Sequence, residues 1–363
     1  MGDKKRFTSG RKLDHIRICL ESDVEQGDPG FSDVRLLHEA LPDCNMAEIR
    51  TGVRFLGHEF SSPLFIAAMT GGHPDTREVN RTLARAARHF GIGMGVGSQR
   101  AALENPELED TYSVVREEAP DSFIVANLGI VQLRDHGTEW AERAVEMIDA
   151  DALAIHLNFL QEALQPEGDH NATGCFGALA DLCSGFSTPV IVKETGSGIS
   201  APTARRCFGI GCAAIDVGGS GGTSWQAIEG VRARESRKEE HSGLASMGET
   251  FRDWGIPTVV SICEVNRAGG PVIATGGIRS GLDMARAIVL GADLCGMALP
   301  LLKPALEGDE SLNKTIEAFL QELRVAMFLT GSGTLSDLRT TKATITGATR
   351  EMLESISEEY HGY

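Results

Sequence analysis

Residues 272–300 read VIATGGIRSGLDMARAIVLGADLCGMALP and contain the pattern that decides the fold. An apolar run, Val272–Ala274, is followed by a glycine-rich turn, a helix-like stretch (Gly281–Leu290) and a second apolar run (Leu294–Leu299). Ser280 is a typical helix start. Both apolar runs are continuous rather than alternating, which is typical of strands buried on both faces. The stretch therefore predicts a strand–helix–strand unit of a parallel sheet.

The same unit recurs along the chain. Further apolar runs occur at Leu64–Met69, Ile92–Gly97, Phe123–Leu128, Ala152–Leu157, Val190–Val192 and Ala213–Val217, and amphipathic stretches between runs include Asp75–Phe90, Pro106–Glu118 and Thr138–Asp149. Eight strand-like runs, each followed by a helix-like one, predict an α/β protein with a (β/α)₈ TIM barrel, whose usual size is about 250 residues. A doubly wound sheet is the alternative. It predicts one dominant glycine-rich turn after the first strand, whereas glycine and polar signatures follow almost every run here.

We divide the chain into three parts. Residues 1–60 form a charged N-terminal extension, residues 61–330 the barrel, and residues 331–363 a C-terminal helical segment packed on it. Within the barrel, residues 226–250 (QAIEGVRARESRKEEHSGLASMGET) form a charged insertion after the sixth strand. This composition is typical of a solvated helix or a flexible, disordered loop, and a lid over the site is the alternative.

Charge and composition exclude some classes of function. The chain has 363 residues, with 34 Lys and Arg against 51 Asp and Glu, which gives a net charge of −17. A protein that binds along nucleic acid needs a broad basic surface, so this class is excluded. The chain has no run of about 18 apolar residues, no apolar signal segment and no C-x-x-C pair among its eight cysteines. We therefore expect a cytoplasmic protein that does not act at a membrane, whose cysteines are buried thiols.

In a barrel of parallel strands, ligands bind at the carboxyl ends of the strands. The polar and glycine residues at those ends are Thr70–Gly72, Gly97–Arg100, Asn127, His156, Asn158, Lys193, Glu194, Gly218–Thr223, Gly276–Arg279, Ala298 and Leu299. The glycine-rich turns after the last two strands expose backbone N–H groups where barrel enzymes commonly hold phosphate. They predict a phosphate site, and a pair of tight turns without a ligand is the alternative.

Several of these polar residues have both a functional and a structural interpretation. Lys193 needs an anion or a strong acceptor at the barrel mouth, which either a ligand or a salt bridge to Glu194 or Asp216 supplies. Asn127 and His156 are either ligand contacts or satisfied polar groups of the core. Both interpretations stay open at this point.

Two features outside the turns carry charges suited to a metal ion and to an anion. Glu162 offers a hard oxygen of the kind that Mg²⁺ prefers, and a solvated carboxylate is the alternative. Arg11, Lys12 and His15 stand at roughly helical spacing. They form either a surface cluster or, together with Arg100, a clamp for an anion.

A hydrolase is an alternative from a different class, because Gly218–Gly222 match the G-x-S-x-G nucleophile pattern around Ser220. This mechanism needs a His after the nucleophile, and His241 and His361 are the two that follow. Neither stands at the end of a strand-like run. The stretch is better interpreted as a backbone turn that contacts a cofactor.

The motifs together resemble those of one family. The segments are RKLDH (11–15), AAMTGG (67–72), GVGSQR (95–100), ANLG (126–129), HLNFLQE (156–162), VKE (192–194), GGSGGTSW (218–225), ATGGIRSG (274–281) and GMALP (296–300). In this order and combination they closely resemble type 2 isopentenyl-diphosphate isomerase. Phe159 departs from the pattern at a position where the family often has Pro, and the polar residues around it are kept.

The resemblance implies an FMN enzyme that interconverts isopentenyl and dimethylallyl diphosphate, with NADPH or NADH to reduce the flavin, Mg²⁺ to bind the diphosphate, and an octameric or tetrameric assembly. It implies flavin contacts at Ala68, Met69, Thr70, Ser98, Asn127, Lys193, Thr223, Gly277, Ile278, Arg279, Ala298 and Leu299. It implies diphosphate contacts at Arg11, Lys12, His15 and Arg100, a substrate contact at Gln161 and metal ligation by Glu162. We take Gln161, Lys193, His156 and Asn158 as the candidate catalytic residues.

The chemistry of the implied reaction suits this set. Moving a double bond requires adding a proton to one carbon and removing one from another, and an electron-rich reduced flavin can act as the acid and base. Two further alternatives stay open. A 2-hydroxy-acid oxidase or dehydrogenase on the same barrel would use a His base and an Arg carboxylate clamp, and a non-catalytic flavin-binding module would bind flavin without turnover.

Overall fold

The computed structural model describes residues 2–165, 167–236 and 242–359, with the side chains in these ranges except those of 2–11, 242 and 357–359. Within these ranges the strands are β1 (Val34–Leu36), β2 (Val53–Phe55), β3 (His58–Phe60), β4 (Leu64–Ile66), β5 (Gly93–Gly95), β6 (Ile124–Gly129), β7 (Ala152–Leu157), β8 (Val190–Glu194), β9 (Ala214–Asp216), β10 (Val272–Thr275), β11 (Leu294–Met297) and β12 (Ala343–Ile345).

The helices surround the strands. In chain order they are α1 (Gly2–Glu21), α2 (Arg77–Phe90), α3 (Arg100–Glu104), α4 (Asp110–Glu118), α5 (Ile130–Ile148), α6 (Phe159–Ala163), α7 (Cys175–Gly185), α8 (Ala201–Gly209), α9 (Trp225–Glu235), α10 (Ser242–Thr250), α11 (Thr258–Arg267), α12 (Gly281–Val289), α13 (Leu299–Glu307), α14 (Asp309–Leu329), α15 (Leu335–Arg339) and α16 (Gly347–Glu359). Short 3₁₀ helices cover Phe31–Asp33, Met46–Glu48, Pro74–Thr76 and Pro106–Leu108.

The eight strands β4 to β11 close into a parallel barrel, as the sequence predicts. Each predicted apolar run overlaps one of them, and β11 closes the barrel by pairing Cys295 with Leu64 of β4. The predicted last run ends two residues too late, because the chain turns at Ala298 and α13 begins at Leu299. The predicted helix start at Ser280 is confirmed, since its side chain accepts the N–H of Asp283.

One end of the barrel interior is filled, which leaves the other for a ligand. Phe55 and Phe60, from the β2–β3 hairpin, pack edge to face against Phe123 just before β6. These rings belong to a buried apolar cluster that also contains Phe65 and Ile191 from the barrel strands. The hairpin therefore closes the end at which the strands begin, and ligands must enter at their carboxyl ends.

The two segments outside the predicted barrel pair with each other. Strand β1 of the N-terminal segment runs antiparallel to β12 of the C-terminal one, with Val34 opposite Ile345. Gly30, at φ +86, lies tight against Thr349 of α16. The part of the extension around β1 and the C-terminal segment are therefore packed together.

Of the predicted alternatives for 226–250, a helix is observed, but its first part lies in α9, which is packed rather than fully solvated. Ile228 joins Ile18 and Val24 in an apolar cluster between α1 and α9, and Glu229 is also buried. The many charged residues of this stretch hide the buried face of α9 in the sequence. Residues 237–241 lie outside the described residues, and α10 follows. Among the helices in the described ranges, none is both long and apolar enough to cross a membrane.

Candidate active site

A cavity opens at the carboxyl ends of the barrel strands and has a volume of about 1570 Å³, counting the part continuous with solvent. The predicted site residues that line it are Lys12, His15, Ala68, Met69, Thr70, Ser98, Arg100, Asn127, His156, Asn158, Gln161, Glu162, Lys193, Thr223, Gly277, Arg279, Ala298 and Leu299. Two predicted residues are absent from that set. The side chain of Ile278 is buried in the core, so only its backbone is available to a ligand, and the side chain of Arg11 lies outside those described.

Asn127 and His156 form a fixed pair on the cavity wall. Asn127 donates from Nδ2 to the carbonyl of Val96 (2.9 Å), so its Oδ1, 2.8 Å from His156 Nδ1, accepts a hydrogen bond from the ring. Burial, with the charges of Lys12 and Lys193, lowers the pKa of His156 to about 3. The ring is therefore neutral near pH 7, with its proton on Nδ1 and an acceptor lone pair on Nε2.

Lys193 is paired and also lines the cavity. Its Nζ lies 2.7 Å from Oδ2 of Asp216, the structural alternative that the sequence left open. The other Asp216 oxygen accepts from the hydroxyl of Thr275, whose Oγ1 accepts the N–H of Gly218 at 3.0 Å. The Asp216 carboxylate thus holds the Lys193 ammonium at the barrel mouth. There the ammonium can also contact an anion bound in the cavity.

Glu194 stabilises the turn that follows strand β8. Its Oε2 accepts the backbone N–H groups of Thr195, Gly196 and Ser197 at 2.7, 2.8 and 2.5 Å. Burial raises the pKa of Glu194 to about 7, against the opposing effect of these hydrogen bonds. From the sequence, Glu194 could be identified only as a strand-end residue. A carboxylate that accepts hydrogen bonds from its own turn has no sequence pattern that distinguishes it from a solvent-exposed carboxylate.

Asn158 holds two predicted residues at the start of α6. Its Nδ2 donates to Oε1 of Gln161 (3.2 Å) and to Oε1 of Glu162 (3.0 Å). The other Glu162 oxygen accepts the N–H of Asp169 at 2.8 Å. No group of three His, Cys, Asp or Glu side chains able to hold a metal ion occurs in the described part of the chain. A cation here would therefore need oxygens from its ligand, which suits Mg²⁺ bound through a diphosphate.

Glu229 is a buried carboxylate that the sequence analysis missed. Its Oε1 lies 3.0 Å from Nε2 of His15 and accepts from the side-chain amides of Gln161 (3.2 Å) and Gln165 (2.8 Å). Burial alone would raise the pKa of Glu229, but His15 and Arg232 outweigh it and hold the pKa at about 2. Glu229 thus joins α1 to α6 beside the cavity. A signal was present in the apolar residues around it, which mark a buried face.

Helix α1 brings cations to the barrel mouth. Lys12 and His15 line the same cavity as Arg100 of α3. Arg100 is kept in place by Glu104, whose Oε1 lies 2.8 Å from its Nε. Three positively charged or protonatable side chains therefore meet at one cavity of a protein with net charge −17, which favours a strongly negative ligand.

The two glycine-rich turns lie against each other and against the N-terminal segment. A Cβ at Gly222 would lie 2.3 Å from the backbone N of Gly277, and one at Gly277, at φ +69, would lie 2.6 Å from Pro29. Arg279 pairs with Glu25 of that same segment. The close approach requires glycine and leaves a backbone-lined corner suited to phosphate.

Thr70 has an unused hydroxyl at the cavity. Its side chain is 2% exposed, and its Oγ1 is buried without a hydrogen-bond partner among the described residues. An unsatisfied buried hydroxyl is costly unless a ligand supplies the partner. The Thr70 hydroxyl and the glycine-lined corner together suit a cofactor that has a polar ring system and a phosphate group.

The hydrolase alternative finds no support at Ser220. Its backbone pairs with the 256–258 segment, accepting from the N–H of Thr258 and donating to Ile256. Ser220 is not among the residues that line the cavity, and both candidate histidines, His241 and His361, lie outside the described residues.

Comparisons with known proteins show the family of the chain. The FMN-dependent dehydrogenase family matches residues 149–345. The chain is 62% identical over 352 residues to the isopentenyl-diphosphate delta-isomerase of Methanoregula boonei, covering 97% of this chain and 98% of that protein. It is 53% identical to the enzyme of that name from Methanosarcina mazei (96% and 94% covered) and 49% identical to that from Halobacterium salinarum (96% and 96%).

Solved structures share the fold at low identity. A mandelate oxidase with (S)-2-phenylpropionate superposes with a TM-score of 0.60 at 17% identity, covering 92% of this chain and 98% of that one. A lactate oxidase from Pediococcus acidilactici gives 0.62 at 16% identity, covering 87% and 84%. At this level of identity the likeness concerns the barrel.

Proposed function

The chain belongs to the isopentenyl-diphosphate delta-isomerases, within the FMN-dependent dehydrogenase family, and we propose that it interconverts isopentenyl and dimethylallyl diphosphate with reduced FMN, Mg²⁺ and NADPH or NADH as the reductant. The observation that carries the proposal is the meeting of Lys12, His15 and Arg100 at the cavity that also holds Lys193 and Thr70. A barrel that oxidises a 2-hydroxy acid needs cations for one carboxylate, whereas this arrangement suits a diphosphate.

The cavity residues fit FMN. Thr70 would give its unpartnered hydroxyl to the ring, Lys193 would face the electron-rich part of the reduced ring, and the Gly276–Arg279 turn would hold the phosphate through backbone N–H groups. Ala68, Met69, Ser98, Asn127, Thr223, Ala298 and Leu299 would complete the contacts. When bound, reduced FMN supplies a group that can donate and accept a proton without net electron transfer.

Lys12, His15 and Arg100 would hold the diphosphate, with Arg11 alongside them. Glu162 would ligate Mg²⁺ through the carboxylate that Asn158 and the N–H of Asp169 keep in position. By binding the diphosphate, these contacts would also fix the position of the apolar end of the substrate. Positioning of this kind is a large part of catalysis.

Two polar groups of the cavity, His156 and Gln161, come from β7 and from α6, the helix that follows it. The amide of Gln161 is held by Asn158 and Glu229, so its orientation toward substrate is fixed. His156 is neutral and would act as an acceptor through Nε2, with Asn127 behind it. We assign to Gln161 the orientation of the second proton that is transferred. Its partners Asn158 and Glu229, and Asn127 behind His156, would hold these side chains in place and exclude water from them.

The test combines a spectrum with an assay. We expect the purified protein to bind FMN, seen as a visible flavin absorbance, and to isomerise isopentenyl diphosphate when dithionite-reduced FMN and Mg²⁺ are supplied. NADPH or NADH should replace dithionite without being consumed in proportion to product. Consumption equal to product would indicate an oxidoreductase, and flavin binding without any isomerisation would leave only a flavin-binding module.

A further inference from the structure

Three cysteines meet on the side of the barrel where strands β8 and β9 begin, away from the cavity. Cys183 lies in the last turn of α7, Cys207 in α8 and Cys212 just before β9. The Sγ atoms of Cys183 and Cys212 are 3.7 Å apart, and the backbone N–H of Cys212 donates to the carbonyl of Cys207 at 3.1 Å. All eight cysteines of the chain are free thiols, and none of these three lines the cavity.

The two segments that carry the closest pair of cysteines pack against each other. A Cβ at Gly211, the neighbour of Cys212, would lie 3.9 Å from Cβ of Cys183, so the two segments are in van der Waals contact. Disulfide formation requires the sulfurs to approach from 3.7 Å to about 2.05 Å.

The thiols differ in access and acidity. Cys183 is half-buried, whereas Cys207 and Cys212 are buried. The hydrogen bond from Cys212 lowers the pKa of Cys183, because a donated S–H stabilises the thiolate, and the same contact raises the pKa of Cys212. Cys263 is also half-buried, but burial raises its pKa to about 11. Among these thiols, Cys183 combines access with thiolate character.

We propose that Cys183 and Cys212 form a modification site at which hydrogen peroxide or an organic hydroperoxide oxidises the pair to an intramolecular disulfide. The Cys183 thiolate attacks the peroxide, breaks its O–O bond and becomes a sulfenic acid, and water or an alcohol leaves after taking up a proton. The Cys212 sulfur then attacks the sulfenic sulfur, the S–S bond forms, and water leaves. The two thiols lose two electrons and two protons, and the peroxide gains them.

The disulfide would close a loop around strand β8. The two residues are 29 apart in sequence, and the enclosed segment carries Lys193. A cross-link of this length restricts the unfolded chain and so raises the temperature of unfolding. Because the cavity lies at the opposite ends of these strands, we expect the oxidised protein to keep its catalytic rate. The modification would protect Cys183 from irreversible oxidation.

The experiment is peptide mapping of the wild-type, flavin-loaded protein. Reduced protein is treated with hydrogen peroxide, free thiols are blocked with N-ethylmaleimide, and the digest is analysed by mass spectrometry. We expect one cross-linked species that joins Cys183 to Cys212, lighter by two hydrogens and reversed by dithiothreitol, while Cys263 is alkylated. A cross-link between Cys207 and Cys212, sulfinic acid at Cys183, or no cysteine oxidation would overturn the proposal.

Single substitutions supply the matched controls. Cys183→Ser and Cys212→Ser should each abolish the cross-link and the rise in unfolding temperature on peroxide treatment. Cys207→Ser and Cys263→Ser should keep both. Retention of the temperature rise in Cys183→Ser would also overturn the proposal, and because the mapping uses the wild-type chain, the result does not depend on how well any variant folds.

Discussion

The Nε2 atom of His15 lies 3.0 Å from the Oε1 carboxylate oxygen of Glu229, which joins the N-terminal helix α1 to α9 at the cavity. The same oxygen accepts from Gln161, so one buried carboxylate orients a diphosphate contact and the substrate contact together. A second link between these helices lies at the surface, where Arg17 Nη1 is 3.2 Å from Glu235 Oε1. The two links offer a matched pair of substitutions.

We expect Glu229→Gln to raise the KM for isopentenyl diphosphate about tenfold or more, because hydrogen bonds to a buried charge contribute about 1.5–3 kcal/mol. Glu235→Gln should change the KM less than about twofold, since an exposed ion pair contributes little. Steady-state kinetics at saturating flavin and Mg²⁺ measure both. Equal increases in KM for the two variants would mean that Glu229 only holds α1 and α9 together.

Lys193→Ala should weaken FMN binding and also lower the free energy of unfolding by about 3 kcal/mol, because it leaves the buried Asp216 carboxylate without its partner. The double variant Lys193→Ala with Asp216→Asn should recover most of the stability but not the FMN affinity. Urea unfolding of the flavin-free protein and FMN titration separate the two effects. Recovery of FMN affinity in the double variant would show that Lys193 acts only through Asp216.

The barrel could be predicted from the sequence because each buried strand leaves a local signature, an apolar run followed by polar or glycine residues. Runs such as Val190–Val192 were found for this reason, and Lys193 at the end of that run marked the strand's open end. The partner of Lys193 could not be chosen from the sequence alone. Glu194 is its neighbour in sequence, but alternation along the strand turns Lys193 toward Asp216 of β9.

The missed residues depend on contacts between distant segments. The apolar residues around Glu229 mark a buried face, but its role follows only from the packing of α9 against α1 and α6. The contact between Pro29 and Gly277 also could not be predicted, because the two residues lie far apart in the sequence. Periodicity reports which face of an element is buried, but not which element covers it, and this is why the packing of α9 could not be predicted from residues 226–250 alone.

Stability should fall with acid because of His156. Its pKa is lowered from 6.5 to about 3 in the folded protein, so between these values the unfolded chain binds the proton and the folded one does not. The free energy of unfolding should therefore fall by up to about 1.4 kcal/mol per pH unit as the pH drops below 6.5. His156→Gln should reduce this slope in urea unfolding between pH 6.5 and 5. An unchanged slope would assign the acid sensitivity to other groups.

Glu162→Gln should raise the Mg²⁺ concentration for half-maximal activity at least about tenfold, because losing even an outer partner of a bound metal has an effect of that size. The amide keeps the size of the side chain and can still accept from Asn158. Glu142→Gln, on the exposed face of α5, is the control and should leave the titration unchanged. Removal of Mg²⁺ with EDTA should abolish activity in all three proteins, and an unaltered titration in Glu162→Gln would exclude Glu162 as a ligand.

Glu194 allows a test of whether the turn after β8 must be held for the flavin to bind. Its Oε2 accepts three backbone N–H groups, and Gly196, one of the three donors, also bonds to the carbonyl of Gly218 across the cavity wall. Glu194→Ala removes the acceptor and should raise the Kd for FMN about tenfold or more, whereas Glu194→Gln keeps an acceptor oxygen and should stay within about threefold. Glu264→Gln, a buried carboxylate outside the cavity that accepts the N–H of Ala201, should bind FMN as the wild type does. If Glu194→Gln weakened binding as much as Glu194→Ala, the charge of Glu194 rather than its hold on the turn would matter for the flavin.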